Sequence, residues 1–133
     1  MYVVDTNVLS EARRTSKEAR AWLRSVEANS IFLSVVTLGE IMKGVAIKQR
    51  SDPRTATSLL VWLERLRDQH AERILPVTDR IALEWGRLAA IRPRGMADGI
   101  IAATALVHGK IVVTRNSKDF EDTGIALINP WQR

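Results

Sequence analysis

Residues 97–114, with the sequence ADGIIAATALVHGKIVVT, decide the fold. The first twelve are almost wholly apolar and predict a helix, from Ala97 to His108, that is packed on most of its sides. Gly109 ends this helix as a C-cap, and the apolar run over 110–114 predicts a buried strand directly after it. A helix that leads into such a strand through so short a link is typical of a parallel sheet covered on both faces.

The rest of the chain supplies further elements of the same kind. Short apolar runs predict strands, at 2–4, 31–35, 74–77 and 126–128. Helical spacing of apolar residues predicts helices, at 16–26, 37–49, 54–70 and after a cap at Thr78 and Asp79. Pro76 suits an edge strand, because proline donates no hydrogen bond to a neighbouring strand. We therefore predict one α/β domain over residues 1–133, a three-layer α/β/α sandwich with a mostly parallel sheet of four to five strands.

Composition excludes several classes of protein. Apolar residues make up 46% of the 133 residues, which is typical of a globular domain and too high for a disordered chain. No apolar run reaches the roughly 18 to 20 residues that a membrane span requires. Met1 is followed at once by apolar residues with no basic segment, so we expect no secretory signal. The lack of cysteine excludes disulfides and thiolate metal sites and fits a cytoplasmic protein.

Positive charge is the second informative property of the composition. The chain carries 20 basic and 15 acidic side chains, a net charge of +5, and 15 of the basic residues are arginine. Arginine binds phosphate in bidentate fashion, so this bias favours a phosphate-bearing partner such as nucleic acid. A GC-rich genome would produce the same bias, and the composition leaves both explanations open.

Four acidic residues follow apolar runs or open helical patterns: Asp5, Glu40, Asp98 and Asp119. Residues that follow parallel strands lie at the carboxyl edge of the sheet, which is where open α/β folds bind ligands. Asp98 belongs there too, because a helix that leads back to the start of a parallel strand must begin at that edge. Carboxylates gathered at one edge repel one another unless a hard divalent cation holds them together. The placement predicts a Mg²⁺ or Mn²⁺ site.

Each of these acids also has a local explanation. Residues 5–7 are typical of an Asx turn that caps a short helix. Thr37 and Glu40 match a capping box, in which Glu40 bonds back to the backbone of the cap. Asp98 would interact well with the dipole of its helix, and 116–119 would suit another turn. Each local explanation, taken singly, is at least as good as a metal site, whereas four acids at one predicted edge favour the site.

Four segments occur in a fixed order, at 4–10 (VDTNVLS), 34–40 (SVVTLGE), 97–105 (ADGIIAATA) and 113–120 (VTRNSKDF). Each motif alone is weak, but the ordered set is specific. In this order and at this spacing they resemble the successive signatures of the PIN domain family, in particular ribonuclease toxins of the VapC/FitB type from VapBC toxin–antitoxin modules. The resemblance extends over the whole chain, including 128–131 (INPW).

The resemblance implies a Mg²⁺-dependent endoribonuclease, with Mn²⁺ as the alternative ion, that acts as the toxin of a type II module. It implies Asp5 and Asp98 as the principal metal ligands, with Glu40 and Asp119 completing the cluster directly or through water. Many PIN domains carry an acid nearer to Asn116, but here only Asp119 can be anionic. Further residues are implied to lie beside the acids, to orient ligands or hold substrate: Thr6, Asn7, Thr114, Arg115 and Asn116.

The resemblance also implies an RNA substrate, a cognate antitoxin and a homodimer. The helix predicted at 54–70 carries apolar residues on more than one narrow face, which suits either a partner surface or burial in the protein's own core. Gly99 stands where many PIN domains have alanine, and its small size should still permit close packing.

Other classes of protein fit the acidic pattern less well. A phosphatase of the haloacid dehalogenase type also has an aspartate after its first strand, but it needs a second acid two residues later, where this chain has Asn7. A receiver domain would need paired acids at the same place. A non-catalytic nucleic-acid-binding domain would explain the arginine excess, but not four acids that weaken binding to phosphate.

Overall fold

Short strands and longer helices alternate along the chain. The computed structural model describes residues 1–132. The strands are β1 Tyr2–Val4, β2 Ile31–Ser34, β3 Ile74–Leu75, β4 Ile111–Val113 and β5 Leu127–Ile128. The α-helices are α1 Thr6–Arg14, α2 Lys17–Ser25, α3 Val35–Ser51, α4 Pro53–Gln69, α5 Asp79–Ile91 and α6 Met96–His108. Within residues 1–132 no helix is both long enough and apolar enough to cross a membrane.

All five strands run parallel in one sheet, in the order β3-β2-β1-β4-β5. β1 lies at the centre, where Val3 pairs with Phe32 on one side and with Val112 on the other. β3 lies at an edge and ends before Pro76, as the proline predicts. The predicted parallel sheet is confirmed, and its single direction brings the carboxyl ends of β1, β2 and β4 to the same edge.

Helices cover both faces of the sheet, which confirms the predicted α/β/α sandwich. Val4 packs in a core with residues of α1, α2, α3 and α4. Val3 packs on the opposite face, in a second core with residues of α5 and α6 such as Ile101. Successive side chains of a strand point to opposite faces, so the three residues of β1 contribute to both cores.

The first helix is foreseen only as the short helix that an Asx turn over 5–7 would cap, and the side chain of Asp5 makes no such capping bond. The polar run over 5–7 predicts a turn, whereas the structure continues from Asp5 at the N-cap into α1 at Thr6. Only Val8 and Leu9 of α1 are buried, so the helix has too short an apolar stripe to be recognised by its periodicity. The helix predicted at 16–26 is observed as α2 and begins after Ser16, whose hydroxyl accepts a hydrogen bond from the backbone of Ala19.

The local explanation of Thr37 and Glu40 as a capping box is wrong. α3 begins two residues earlier, with Ser34 as its N-cap, and the Ser34 hydroxyl accepts a hydrogen bond of 3.1 Å from the backbone N–H of Val36. Thr37 is therefore a buried residue of the helix, and Glu40 lies in the second turn rather than the first. Because the cap is satisfied by Ser34, the carboxylate of Glu40 is free to serve another purpose.

The helix predicted at 54–70 is observed as α4, and it has one buried face and one exposed face. Its core-facing residues Leu63 and Leu66 are buried in the same core as Val4, as the alternative of core packing requires. On its outer side Leu60 and Val61 stay exposed, at 38% and 48% of their surface. The helix thus keeps an apolar outer strip that its own core does not cover.

α6 packs tightly because its buried residues are mostly small, and Gly109 ends it in the left-handed conformation with a φ of 63°, as the predicted C-cap requires. Gly99 meets the indole of Trp85 from α5. A Cβ atom at Gly99 would lie 2.8 Å from Cδ1 of Trp85, which is too close for any relaxed contact. The indole occupies the space that an alanine methyl group would need.

Replacing Gly99 by alanine should therefore destabilise the protein by about 1–3 kcal/mol, the usual cost of overpacking a core. Gly86→Ala is the matched control, because a Cβ atom on this residue of α5 meets nothing within 4 Å. Alanine there should raise the free energy of unfolding by about 0.5–1 kcal/mol through its higher helix propensity. Urea denaturation of both variants measures the difference, and equal effects of the two substitutions would contradict the packing argument.

Candidate active site

The four predicted acids lie around the carboxyl edge of the sheet. Asp5 follows β1 directly, and Asp98 lies in the first turn of α6. Glu40 lies in α3, and Asp119 lies in a 3-10 turn, Ser117–Asp119, after β4. Their charges reach one another, since Asp98 and Glu40 both raise the pKa of Asp5, and Asp119 and Glu40 both raise the pKa of Asp98.

Asp5 is the most deeply placed of the four, with 3% of its surface exposed. Burial is the main cause that raises the pKa of its carboxyl to about 7, and the nearby charges of Asp98 and Glu40 add to the effect. The hydroxyl of Thr114 opposes it by donating a hydrogen bond of 2.8 Å to Oδ2 of Asp5. The Asp5 anion is therefore costly in this position unless a positive charge comes close.

Asp98 is half-buried at the start of α6. Burial raises its pKa, the charges of Asp119 and Glu40 raise it further, and the positive charge of Arg94 lowers it. Among residues 1–132 the guanidinium and ammonium groups that form ion pairs do so with other acids, and Asp5, Glu40, Asp98 and Asp119 take part in none of these pairs. The negative charges at this edge of the sheet are thus not balanced by ion pairs with basic side chains.

Glu40 is exposed and is held by α1. The hydroxyl of Thr6 donates a hydrogen bond of 2.6 Å to Oε1 of Glu40, and the same hydroxyl oxygen lies 3.0 Å from that of Thr37. A hydroxyl has one proton, so Thr6 can donate to Glu40 while it accepts from Thr37. This chain of contacts fixes the direction of the Glu40 carboxylate.

The polar residues predicted beside the acids connect two loops. Oγ1 of Thr114, besides donating to Asp5, accepts a hydrogen bond of 3.0 Å from the backbone N–H of Asn116. Asn7 accepts one of 3.3 Å from the backbone N–H of Arg115. The side chains of Arg115 and Asn116 themselves are exposed. Thr6 and Thr114 thus touch acids directly, whereas Asn7 holds the loop after β4.

The sequence does not reveal the contact between Arg94 and Asp122. The Arg94 guanidinium has 2% of its surface exposed and donates to the Asp122 carboxylate at 2.7 and 3.1 Å and to the Asp119 carbonyl at 3.0 Å. Together with a bond from Arg92, these contacts hold the pKa of Asp122 well below its usual range. The pair locks the turn that carries Asp119 onto the loop before α6. Its members lie 28 residues apart, and no local pattern links them.

The donor set suits a hard divalent cation. All four side chains offer carboxylate oxygens, the ligands that Mg²⁺ and Mn²⁺ prefer. The raised pKa values of Asp5 and Asp98 arise in part from mutual repulsion, which a cation would relieve. Within residues 1–132 no three Asp, Glu or His side chains are gathered closely enough to hold a metal ion as they stand. The carboxylates would have to turn towards one another to share one.

The sequence and the fold are both similar to those of known proteins. The family model described as PIN domain matches residues 2–126. The chain is 33% identical to the "VapC ribonuclease Y4jK" of Sinorhizobium fredii, over 99% of each chain. It superposes with a TM-score of 0.90 and 33% identity on the crystal structure of FitAcB from Neisseria gonorrhoeae, covering 100% of both chains. It also superposes on a toxin–antitoxin complex from Klebsiella pneumoniae, with a TM-score of 0.71, 27% identity and full coverage of both chains.

The buried Asp5 should make the stability of the protein depend on pH in a metal-free buffer. Its pKa is about 7 in the folded protein and about 3.9 in an unfolded chain. Between these values the native state holds a proton that the unfolded state has released, so the free energy of unfolding falls as pH rises from about 4 to about 7. With about 1.4 kcal/mol for each pKa unit, the loss is on the order of a few kcal/mol.

Asp5→Asn removes this titration, so its stability relative to the wild type should increase steadily over the same pH range. Urea denaturation in EDTA at several pH values measures the difference. Asp68→Asn, at an exposed position of α4, removes the same charge and should leave the slope of the wild type unchanged. Parallel pH profiles for wild type and Asp5→Asn would show that Asp5 does not titrate in this way.

Proposed function

The chain belongs to the PIN domain family, and we propose that it hydrolyses RNA phosphodiester bonds at the carboxyl edge of its sheet with Asp5, Glu40, Asp98 and Asp119. The observation that carries this proposal is Asp5, a buried carboxylate beside two other acids without a basic partner among residues 1–132. A purely structural role would not favour so costly an anion. The name of the Sinorhizobium relative, a ribonuclease, supports the same reaction.

Asp5 and Asp98 are the proposed principal ligands of a Mg²⁺ ion, with Glu40 and Asp119 bound to it directly or through water. Mn²⁺ offers the same ligand chemistry. A bound divalent ion supplies positive charge for the phosphate oxygens and lowers the pKa of a coordinated water molecule. The charge pattern of the site fits this ion because Glu40, Asp98 and Asp119 each raise the pKa of a neighbouring acid.

The neighbouring polar residues orient these ligands. The Thr114 hydroxyl holds Oδ2 of Asp5, and the Thr6 hydroxyl holds Oε1 of Glu40. Arg94 keeps the turn of Asp119 in place through the Asp119 carbonyl. Such supporting contacts commonly contribute a factor of about 10–100 to metal affinity or activity. None of these side chains needs to act as a nucleophile in the proposed reaction.

Asn7 argues against a phosphatase of the haloacid dehalogenase type. The position that would need a second acid holds an amide, whose oxygen accepts a hydrogen bond from the backbone of Arg115. The residue is engaged in holding a loop, and it carries no charge. A non-catalytic RNA-binding domain is the remaining alternative, and the four acids oppose it because they repel phosphate.

The proposed biological role is that of a toxin, paired with a protein antitoxin and acting as a homodimer in the cytoplasm. The toxin–antitoxin complex from Klebsiella pneumoniae, similar over its full length, supports the antitoxin. The exposed Leu60 and Val61 of α4 offer apolar surface for an assembly.

Cleavage of RNA should depend on the acids and on a divalent ion. Asp98→Asn should reduce the rate of cleavage of a labelled single-stranded RNA by at least about 100-fold, because it removes a proposed ligand, and Thr114→Val should reduce it about 10–100-fold. EDTA should abolish cleavage by the wild type, and added Mg²⁺ or Mn²⁺ should restore it. Asp68→Asn serves as the charge control. Undiminished cleavage by Asp98→Asn, or by the wild type in EDTA, would refute the mechanism.

The assembly can be measured independently of the chemistry. Light scattering should give the mass of a dimer for the isolated protein, and a larger complex when the protein is co-expressed with the product of the neighbouring reading frame. Leu60→Glu combined with Val61→Glu should weaken one of these assemblies without unfolding the chain, because both side chains are exposed. A monomer in every preparation would contradict the proposed assembly.

A further inference from the structure

Arg115 lies at the rim of the acidic site and its backbone is fixed on both sides. It follows Thr114, the residue that bonds to Asp5. Its N–H donates to Oδ1 of Asn7 at 3.3 Å, and its carbonyl accepts a bond of 3.0 Å from Nδ2 of Asn129. Oδ1 of Asn129 in turn accepts from the backbone N–H of Trp131 at 2.9 Å. Asn7 thus ties the loop after β4 to α1, and Asn129 ties the same loop to the segment after β5.

The side chain of Arg115 lies over an aromatic ring. Its guanidinium carbon is 4.9 Å from the centroid of the Trp131 ring, a cation–π contact. Its ion pair with Glu11 is loose, at 3.6 Å, and half of the arginine side chain is exposed. Arg94 and Arg92, by contrast, are bound to Asp122. Arg115 is therefore a pre-positioned cation on the loop that carries Thr114, and it can exchange its weak partner for a phosphate.

Trp131 also borders a cleft that none of the four acids lines. The cleft has a volume of about 560 Å³ and lies between α2 and the end of the chain, and it is lined by Lys17, Glu18, Ala21, Arg24, Pro130 and Trp131. This volume falls in the range of about 300–1,000 Å³ that is usual for small-molecule and cofactor sites. The cleft joins an aromatic ring to two basic side chains, and Arg115 lies against the same ring.

We propose that Arg115, Trp131, Lys17 and Arg24 form a nucleotide subsite for single-stranded RNA, which we call the Trp131 subsite. A phosphate beside the cleaved bond binds Arg115, the adjoining base stacks on Trp131, and the following phosphates run past Lys17 and Arg24. This inference rests on the proposed ribonuclease function, because it places the strand next to the four acids.

The chemistry of the Trp131 subsite favours RNA over a protein partner. Basic side chains that track a backbone, with an aromatic ring between them, are the recurring arrangement for single strands, since every base has a face that can stack. A protein surface would be expected to show a broader apolar centre. Here the indole and Pro130 supply the large apolar contacts, and three cations face two acids, Glu18 and Glu11.

Binding of a 5′-fluorescein-labelled single-stranded oligouridylate, followed by fluorescence anisotropy in EDTA, tests the proposal without cleavage. Arg115→Ala and Trp131→Ala should each weaken binding roughly 5- to 100-fold, the range expected for one stacked base. Arg115→Ala should also reduce the slope of log Kd against log salt by about 0.7, the value for one phosphate contact on a single strand. Trp131→Ala should leave that slope unchanged.

Two further variants guard against loss of folding. Trp131→Phe retains a ring, so it should bind RNA nearly as well as the wild type but lose the quenching of indole fluorescence that stacking produces. Lys17→Ala combined with Arg24→Ala changes two exposed residues and should weaken binding and reduce the salt slope by about 1.4. The matched control is Arg80→Ala, an exposed arginine beside Leu106 and Val107 near the end of α6, which should change affinity less than twofold.

The Trp131 subsite is refuted if all of these variants match the wild type in three measurements. These are the affinity for RNA, the slope of log Kd against log salt, and the quenching of indole fluorescence. If the same variants instead lose binding to a co-expressed antitoxin, the cleft is a protein surface and the proposal is wrong. Failure of the subsite is distinct from failure of the proposed function. A wild type that cleaves RNA while the variants bind normally refutes only the subsite, whereas subsite-dependent binding without any cleavage refutes only the reaction.

Discussion

A carboxylate buried at the end of the central strand is the constraint on which the site depends. Asp5 cannot withdraw from the sheet, because its backbone N–H donates to the Val113 carbonyl at 2.8 Å and β1 is paired on both sides. Burial and the charges of Asp98 and Glu40 all oppose its ionisation. A fold that holds like charges together at low dielectric needs a compensating cation. The sheet thus places at its carboxyl edge a carboxyl group that is either protonated or in need of a nearby positive charge.

Asp119 lies in a 3-10 turn outside the sheet, so strand pairing does not hold it and side-chain contacts do. Arg94 bridges the Asp119 carbonyl and the Asp122 carboxylate, and Arg92 binds the same carboxylate. Asp122 thereby engages two arginines that would otherwise be available to Asp119 and Asp98. The turn gains a rigid attachment while its functional carboxylate stays without an ion pair. The proposed role of Asp119 as a metal ligand requires both a rigid attachment and an unbalanced negative charge, and here separate residues supply them.

The sequence predicts the parts of this arrangement that depend on local pattern. The segment 97–114 predicts α6, its glycine cap and β4, because an apolar helix and an apolar strand differ clearly in length and composition. The extent of α1 escapes prediction because its buried stripe is two residues long, and the capping box fails because Ser34 caps α3 earlier than Thr37 would. The contact of Arg94 with Asp122, and that of Arg115 with Trp131, depend on how distant loops meet, which periodicity does not encode.

The four acids at one edge contrast with the positive charge of the rest of the molecule. The chain carries a net charge of +5 even though four of its acids lie together at one edge, so the rest of the molecule is more basic than the total suggests. RNA is drawn to that basic remainder but repelled by the uncompensated acids. A divalent ion at the acids removes the repulsion, and a cation fixed at the rim, as Arg115 is on Trp131, guides the strand past them. Metal binding and substrate binding should therefore be coupled at this edge, because each reduces the electrostatic cost of the other.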